Sequence, residues 1–253
     1  MTSQSDARPT FPVVETYDYS LFGEIEIRPL NRVRRVIARR MQASWVNVPM
    51  VVQFDDADIT GLEVLRGQLK PRADTAGVRL TLLPFIIKAC ALALKEFPEF
   101  NASLDSTGEN LVLKKYCHIG FATDTSLGLI APVIRDVGKK ELFQIAADVG
   151  KLADMARLGR LAFSDTEGGC FSVTNLGQLG GTAFTPTINA PEVAVLGMAR
   201  AARKMIEVNG AFIPRLMLPL ALAYDHRVID GAVGGRFMSF LRETIMKPEI
   251  LVS

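Results

Sequence analysis

The 253-residue sequence predicts a domain of the α/β class, on three observations. Apolar residues recur at steps of three and four in several segments, most clearly in 139–159, where Leu142, Ile145, Val149, Leu152 and Ala156 share one stripe. Short runs with strand character lie between such segments: MVVQF (50–54), FSVTN (171–175), VAVLGMA (193–199) and LMLPLALAY (216–224). The two kinds interleave without the regular βαβ repeat of a doubly wound fold, and no internal repeat is visible. An apolar share of 49% against 22% charged residues is ordinary for a globular chain of one large or two small domains.

In chain order, residues 1–20 are polar, proline-containing and without period, which predicts a linker or flexible arm. From Asn31, a capping residue, a helix follows. Val33, Val36, Ile37, Met41 and Trp45 form its apolar stripe, and Arg32, Arg34, Arg35 and Arg39 lie off it as a solvated face. The strand at 50–54 runs into Asp55, Asp56 and Asp58. These resemble a fragment of a calcium loop but lack its glycine and bidentate glutamate, so a loop into a helix capped at Thr60 is the better account. Helices are expected over 61–70 and 84–96, then short strands at 111–114, 117–122 and 129–134. Pro219 implies an edge or a bulge in the run 216–224. A last helix is expected from Asp230 to Lys247.

Several function classes drop out. A net charge of +2 gives no basic excess for nucleic acid. Cys90, Cys117 and Cys170 show no CxxC spacing, which argues against zinc or a disulfide framework and fits a reducing compartment. The stretch MTSQSDARPT lacks the basic start and apolar run of a signal peptide. The longest apolar stretch, LTLLPFIIKACALAL (80–94), is too short to span a bilayer and holds Lys88, so a soluble, intracellular protein is expected. There is no P-loop, and the glycine-rich GQLGG (177–181) leads into a strand-and-turn sequence rather than a helix.

The chemistry concentrates in YDHRVIDG (224–231). His226 falls on a strand-to-helix turn, where a fixed backbone can present a general base to a cleft. Asp230 and Gly231 equally suit a helix cap and a tight turn, and His226 with Asp230 could supply two metal ligands, with no third in view. Spacing alone leaves these readings open. His118, alternating with Cys117 and Ile119, reads as a packed strand histidine.

Four stretches in order carry a resemblance: FGEIE (22–26), LKKYCHIGFATDT (113–125), GGTAFTPTINAPEVAVLG (180–197) and PRLMLPLALAYDHRVIDG (214–231). They resemble the catalytic core of dihydrolipoamide acyltransferases of 2-oxoacid dehydrogenase complexes, from about Phe22 to the C-terminus, and are closest in wording to the pyruvate type. The resemblance implies a two-layer α/β sandwich of the chloramphenicol acetyltransferase type, with a mixed sheet, assembled as trimers. It implies a catalytic domain over 21–253 with its active site between subunits, coenzyme A entering from one end and a dihydrolipoyl arm from the other.

Carried onto this chain, the resemblance makes His226 the base, Asp230 the motif's acid, and Thr174 the hydroxyl that supports the tetrahedral intermediate. Arg66, Lys114 and Phe184 match coenzyme A positions, and Asp124 and Tyr224 match channel positions near the reacting thiols. Acyl transfer between thiols asks for such residues: a neutral imidazole to take the thiol proton and a hydroxyl to meet the oxyanion. No metal is implied. In the related acetyltransferases the equivalent acid stabilises the site through an arginine, so Asp230 is expected to matter less than His226.

No lipoyl domain precedes residue 20, so the lipoyl group is expected in trans, and Met50 stands where pyruvate-type relatives often have histidine. A chloramphenicol-type enzyme would carry a paired histidine where this chain has Asp225 and His226. A non-catalytic scaffold would not need Thr174, His226 and Asp230 intact. The tail KPEILVS (247–253) is expected to join homotrimers into a cubic or dodecahedral core that works with lipoyl domains and the other complex components. The expected location is the cytoplasm, or the mitochondrial matrix in a eukaryote.

Overall fold

The computed structural model describes residues 16–177 and 180–252. Most of the expected arm, residues 1–15, lies outside them, as do Gln178 and Leu179 of GQLGG and the final Ser253. The chain divides into two units, up to Asn31 and from Arg32 onward. In the first, Asp18 caps a short turn at Tyr19–Leu21 by accepting from the Ser20 backbone N–H at 3.1 Å, and Glu26 pairs with Arg28.

The second unit holds the helices α1 (Arg32–Asn47), α2 (Thr60–Thr75), α3 (Leu82–Glu96), α4 (Leu142–Arg157) and α5 (Gly231–Met246). Its strands are β1 (Met50–Asp58), β2 (Ala102–Leu104), β3 (Leu111–Leu113), β4 (Ile119–Phe121), β5 (Thr123–Thr125), β6 (Gly128–Ile130) and β7 (Val133–Ile134). They continue with β8 (Phe171–Asn175), β9 (Ala194–Met198), β10 (Ala202–Val208) and β11 (Ala211–Asp225). The main sheet runs β1-β11-β9-β8-β4-β7, with β10 also on β11; β2–β3 and β5–β6 are separate ribbons. The sheet is mixed, because β8 pairs in parallel with β4 and β9 while β11 pairs antiparallel with β1, β9 and β10.

Side-chain alternation separates the two faces of this sheet. Phe171 and Val173 of β8, Leu196 of β9, and Leu220, Leu222 and Tyr224 of β11 join the buried core with α3, α4 and α5. On the opposite face, Val195 and Ala223 pack with Val48 and Ile188 in a small second cluster. Helices thus cover one face, which gives the two layers. α3 is buried nearly all round, as its unbroken apolar run requires, and its Lys88 reaches the Lys140 carbonyl at 2.7 Å.

Expectations and structure part at definite places. The acidic run after residue 54 is strand, not loop, because β11 is long enough to pair β1 through Asp58. Its acids meet cations: Asp55 with Arg242 (3.0 Å), Asp56 with Lys204 (2.5 Å), Asp58 with Arg215 (3.5 Å). Thr60 does not cap α2; its Oγ1 accepts from the Leu216 N–H at 2.9 Å, while Asp58 Oδ1 takes the Thr60 N–H at 2.9 Å. α2 also runs through Pro71 to Thr75, beyond the expected end.

Pro219 lies inside the sheet, paired with Asp56 on one side. On the other side β11 changes partner from β10 to β9. There Ala199, Arg200 and Ala201 stand against Leu218 and Pro219, so the pairing slips by one residue, the bulge a proline requires. In α1 the stripe residues Val33, Ile37 and Met41 are half-buried, whereas Val36 and Trp45 are exposed.

Candidate active site

His226 follows directly on the end of β11. Its N–H donates to the Pro49 carbonyl at 3.0 Å, which ties the turn to the start of β1. The turn is clamped by Asp225, which is buried and accepts from the Arg227 backbone N–H at 3.0 Å, from Nε at 3.0 Å and from Nη2 at 2.6 Å. The Asp225 carbonyl accepts from the N–H groups of Val228 and Ile229, both at 3.0 Å, and Ile229 is sealed in the core. The backbone is therefore fixed while the His226 side chain is exposed.

Asp230 is the N-cap of α5, its Oδ1 accepting from Ala232 N–H at 2.9 Å and Val233 N–H at 2.8 Å. These bonds, that of Val233 foremost, hold its carboxyl below the usual range, and the charges of Arg236 and His226 act in the same direction. The arginine clamp expected of Asp230 is made by Asp225 instead. Gly231 opens α5, as the capped-turn reading expected.

Thr174 is half-buried on β8 opposite Gly197 of β9, and the Phe184 ring rests on Gly197: a Cβ there would lie 2.7 Å from Phe184 Cζ. The structure thus brings Thr174 and Phe184 to one place. It does not bring Thr174 to His226. Gly197 pairs with Ala221, so His226 is two strands across and five residues along, roughly 20 Å away by standard strand spacings.

The other matched residues are spread. Arg66 on α2 is held by Glu63 through Nε (3.0 Å) and Nη2 (2.6 Å), which raises its pKa, and Nη1 reaches the Leu80 carbonyl at 3.4 Å. Lys114, just past β3, donates to the Ala102 carbonyl at 3.2 Å, and burial lowers its pKa. Asp124 is exposed on the β5–β6 ribbon. Tyr224 has no exposed surface; its hydroxyl lies under the start of α5, where Gly234 leaves room for the ring, and burial raises its pKa. In a single chain it therefore lines no open channel.

His118 is packed, Nδ1 accepting from the Asp136 N–H at 3.0 Å with its ring 4.6 Å from that of Tyr116, but it stands one residue before β4 rather than in a strand. Met50 Sδ accepts from the Ile188 N–H at 3.5 Å beside the second cluster. Among the described residues no group of three or more His, Cys, Asp or Glu is placed to hold a metal, and no helix is long and apolar enough to cross a membrane. Sequence reasoning missed the Asp225–Arg227 clamp, although DHR places an acid and an arginine two apart, close enough to pair.

Comparison with known proteins supplies a frame for this geometry. The model of the family described as 2-oxoacid dehydrogenases acyltransferase (catalytic domain) matches residues 22–253. The chain is 50% identical to the dihydrolipoyllysine-residue acetyltransferase component of the pyruvate dehydrogenase complex of Pseudomonas aeruginosa, over 92% of this chain and 43% of that protein. It spans less than half the length of the curated relatives it matches first.

Among solved structures it superposes with a TM-score of 0.94 and 47% identity on the dihydrolipoamide acetyltransferase of Azotobacter vinelandii. The match covers 96% of this chain and 100% of that one, in work on the catalytic role of a serine, a histidine and an asparagine. A cubic core of the pyruvate dehydrogenase multienzyme complex matches equally well, with a TM-score of 0.94, 48% identity and the same coverage. Chloramphenicol acetyltransferase, at 16% identity, a TM-score of 0.52 and coverage of 83% of this chain and 93% of that one, shares the fold.

Proposed function

Because the chain belongs to the 2-oxoacid dehydrogenases acyltransferase family through its catalytic domain, we propose that it moves an acetyl group between dihydrolipoyl and coenzyme A thiols, with residues 21–253 as the catalytic domain. One observation carries the reading. Thr174 and Asp230 stand at the same offsets from His226 as the serine and asparagine do from the histidine studied in the Azotobacter vinelandii enzyme.

In this reading the site is made by two copies of the chain. The separation of His226 from Thr174 within one chain supports this: a base and an oxyanion donor roughly 20 Å apart serve one carbonyl only if they come from neighbours. His226 takes the proton of the attacking thiol, Thr174 donates to the oxyanion of the tetrahedral intermediate, and His226 returns the proton to the departing thiol. Arg66 and Lys114 are the proposed partners of coenzyme A phosphates. Arg66 would first have to share its guanidinium with Glu63, so its contribution is to affinity rather than to the chemical step. A lipoyl domain brings the acyl arm, trimers build a cubic core of a pyruvate dehydrogenase complex, and the complex works in the cytoplasm.

Complementation tests the shared site. His226→Ala and Thr174→Ala are each expected to lower acetyl transfer to dihydrolipoamide, by about 10²–10⁴-fold and 10²–10³-fold respectively. Coexpression of the two inactive chains should restore activity, since some interfaces then pair an intact histidine with an intact threonine. Mixed trimers as inactive as either parent would overturn the two-copy site.

A further inference from the structure

A second cavity has a lining of its own, although its Ser172 stands two residues from Thr174 on the same face of β8. Beside the β4–β8 pair, on the sheet face turned from α3, α4 and α5, the segments 166–169 and 189–192 with Arg40 of α1 enclose a cavity of about 220 Å³. Glu192, Ser172, Glu167, Asn189 and Arg40 line it, and none of the residues matched to acyl transfer does. Glu192 and Ser172 are more than nine-tenths buried, yet neither Glu192 Oε2 nor Ser172 Oγ closes a hydrogen bond with another described residue, though the two face each other. Ser172 and Asn189 act on this buried carboxyl and lower its pKa somewhat, but its Oε2 is left unsatisfied, and proteins keep such a buried atom chiefly where something else completes it.

The fold also makes room for it deliberately. Gly169 sits so close that a Cβ there would come within 2.8 Å of Glu192 Oε1, and a Cβ on Gly120 would come within 3.0 Å of Ser172 Oγ. Among the described residues no cation lies within ion-pair distance of Glu192. Lys114 and Cys170 interact with it electrostatically, and the Lys114 ammonium donates to the Ala102 carbonyl.

Two carboxylates and one guanidinium on the lining favour a positively charged guest. We propose that this cavity binds a small organic cation, its primary ammonium or guanidinium group held between Glu192 and Ser172. The volume, below the about 300 Å³ at which drug-sized pockets begin, limits the guest to a short chain. Burial pushes the Glu192 carboxyl up to about 7, so the acceptor is ionised at pH 8 and largely neutral at pH 6. Binding strengthens with rising pH across that interval; Glu167 and Arg40 are the other charged groups on the lining, and Lys114 and Cys170 act on Glu192 from outside it.

The test is calorimetric titration of the assembled protein with agmatine and with cadaverine, and with glycerol as a neutral control. The expected result is saturable binding of at least one cation at pH 8, about tenfold weaker at pH 6 and absent for glycerol. Glu192→Gln should weaken it at least tenfold and His226→Ala leave it unchanged. Should Glu192→Gln fail to fold, Ser172→Ala and Gly169→Ala probe the same two atoms and should each weaken binding severalfold. No binding by either cation, or equal binding by these variants, overturns the proposal. So does a change of oligomeric mass in Glu192→Gln, which would make the guest a side chain of a second copy.

Discussion

At Asp230 a single carboxylate caps a helix beside a histidine, and the two tasks separate by substitution. Asparagine keeps an N-cap acceptor, so Asp230→Asn is expected to retain most of the melting temperature and most of the turnover, far above His226→Ala. Asp230→Ala should lower Tm by a few degrees at pH 7. The folded-state pKa is depressed from 3.8, so this stabilisation is present above that value and is lost as pH falls below it; melting curves at pH 7 and pH 3 should show the difference between wild type and Asp230→Ala shrinking. Glu192 has the opposite sign. Its carboxyl is raised from 4.5 to about 7, so stability falls as pH rises through that window, and Glu192→Gln should flatten that part of the curve. Wild type and variant with parallel profiles between pH 4.5 and 7 would contradict the buried, unpaired state of this group.

At the scale of elements, the helices and strands whose pattern is set by burial were legible: β8 falls on FSVTN without a residue of error, and α3 and α4 lie where the apolar spacing puts them. What escaped is set by partners distant in sequence. β1 runs on through three aspartates because β11 offers hydrogen bonds there, and no local pattern announces that. β10 escaped for another reason: ARKMIEV is exposed along nearly its whole length and shows no clean alternation. Its signal was the turn, for Asn209 and Gly210 both have positive φ (52° and 81°), the conformation of an Asn-Gly hairpin. Gly210→Val is expected to cost about 1–3 kcal/mol in denaturant unfolding.

The candidate site divides in the same way. Its residues are proposed from the resemblance, but their separation within one chain follows from strand order, which no spacing along the sequence reveals.

Over the whole molecule, the packing of the tail has to be separated from its proposed part in assembly, which one deletion would confuse. Pro248 and Leu251 are buried, and Leu251 belongs to the main core, whereas Ile250 and Val252 are exposed. Removing residues 248–253 would therefore damage the domain itself. The cleaner variant is Ile250→Asp with Val252→Asp, which leaves Leu251 in place. Light scattering should find particles reduced to the trimer with Tm nearly unchanged, and an unchanged mass would exclude the tail as the connector between trimers.

β11 also dictates when the molecule can fold at all. It pairs with β1, β9 and β10, and β1, begun at Met50, has no other neighbour in the sheet among the described residues. A ribosome must synthesise nearly the whole chain before that neighbour exists. Until then β1 is an unsatisfied edge carrying Val51, Val52 and Phe54, the kind of segment that pairs with the wrong chain when nascent copies are crowded. The aspartates at its far end, Asp55, Asp56 and Asp58, are then more than ion-pair partners. They are charges that keep this edge soluble during synthesis.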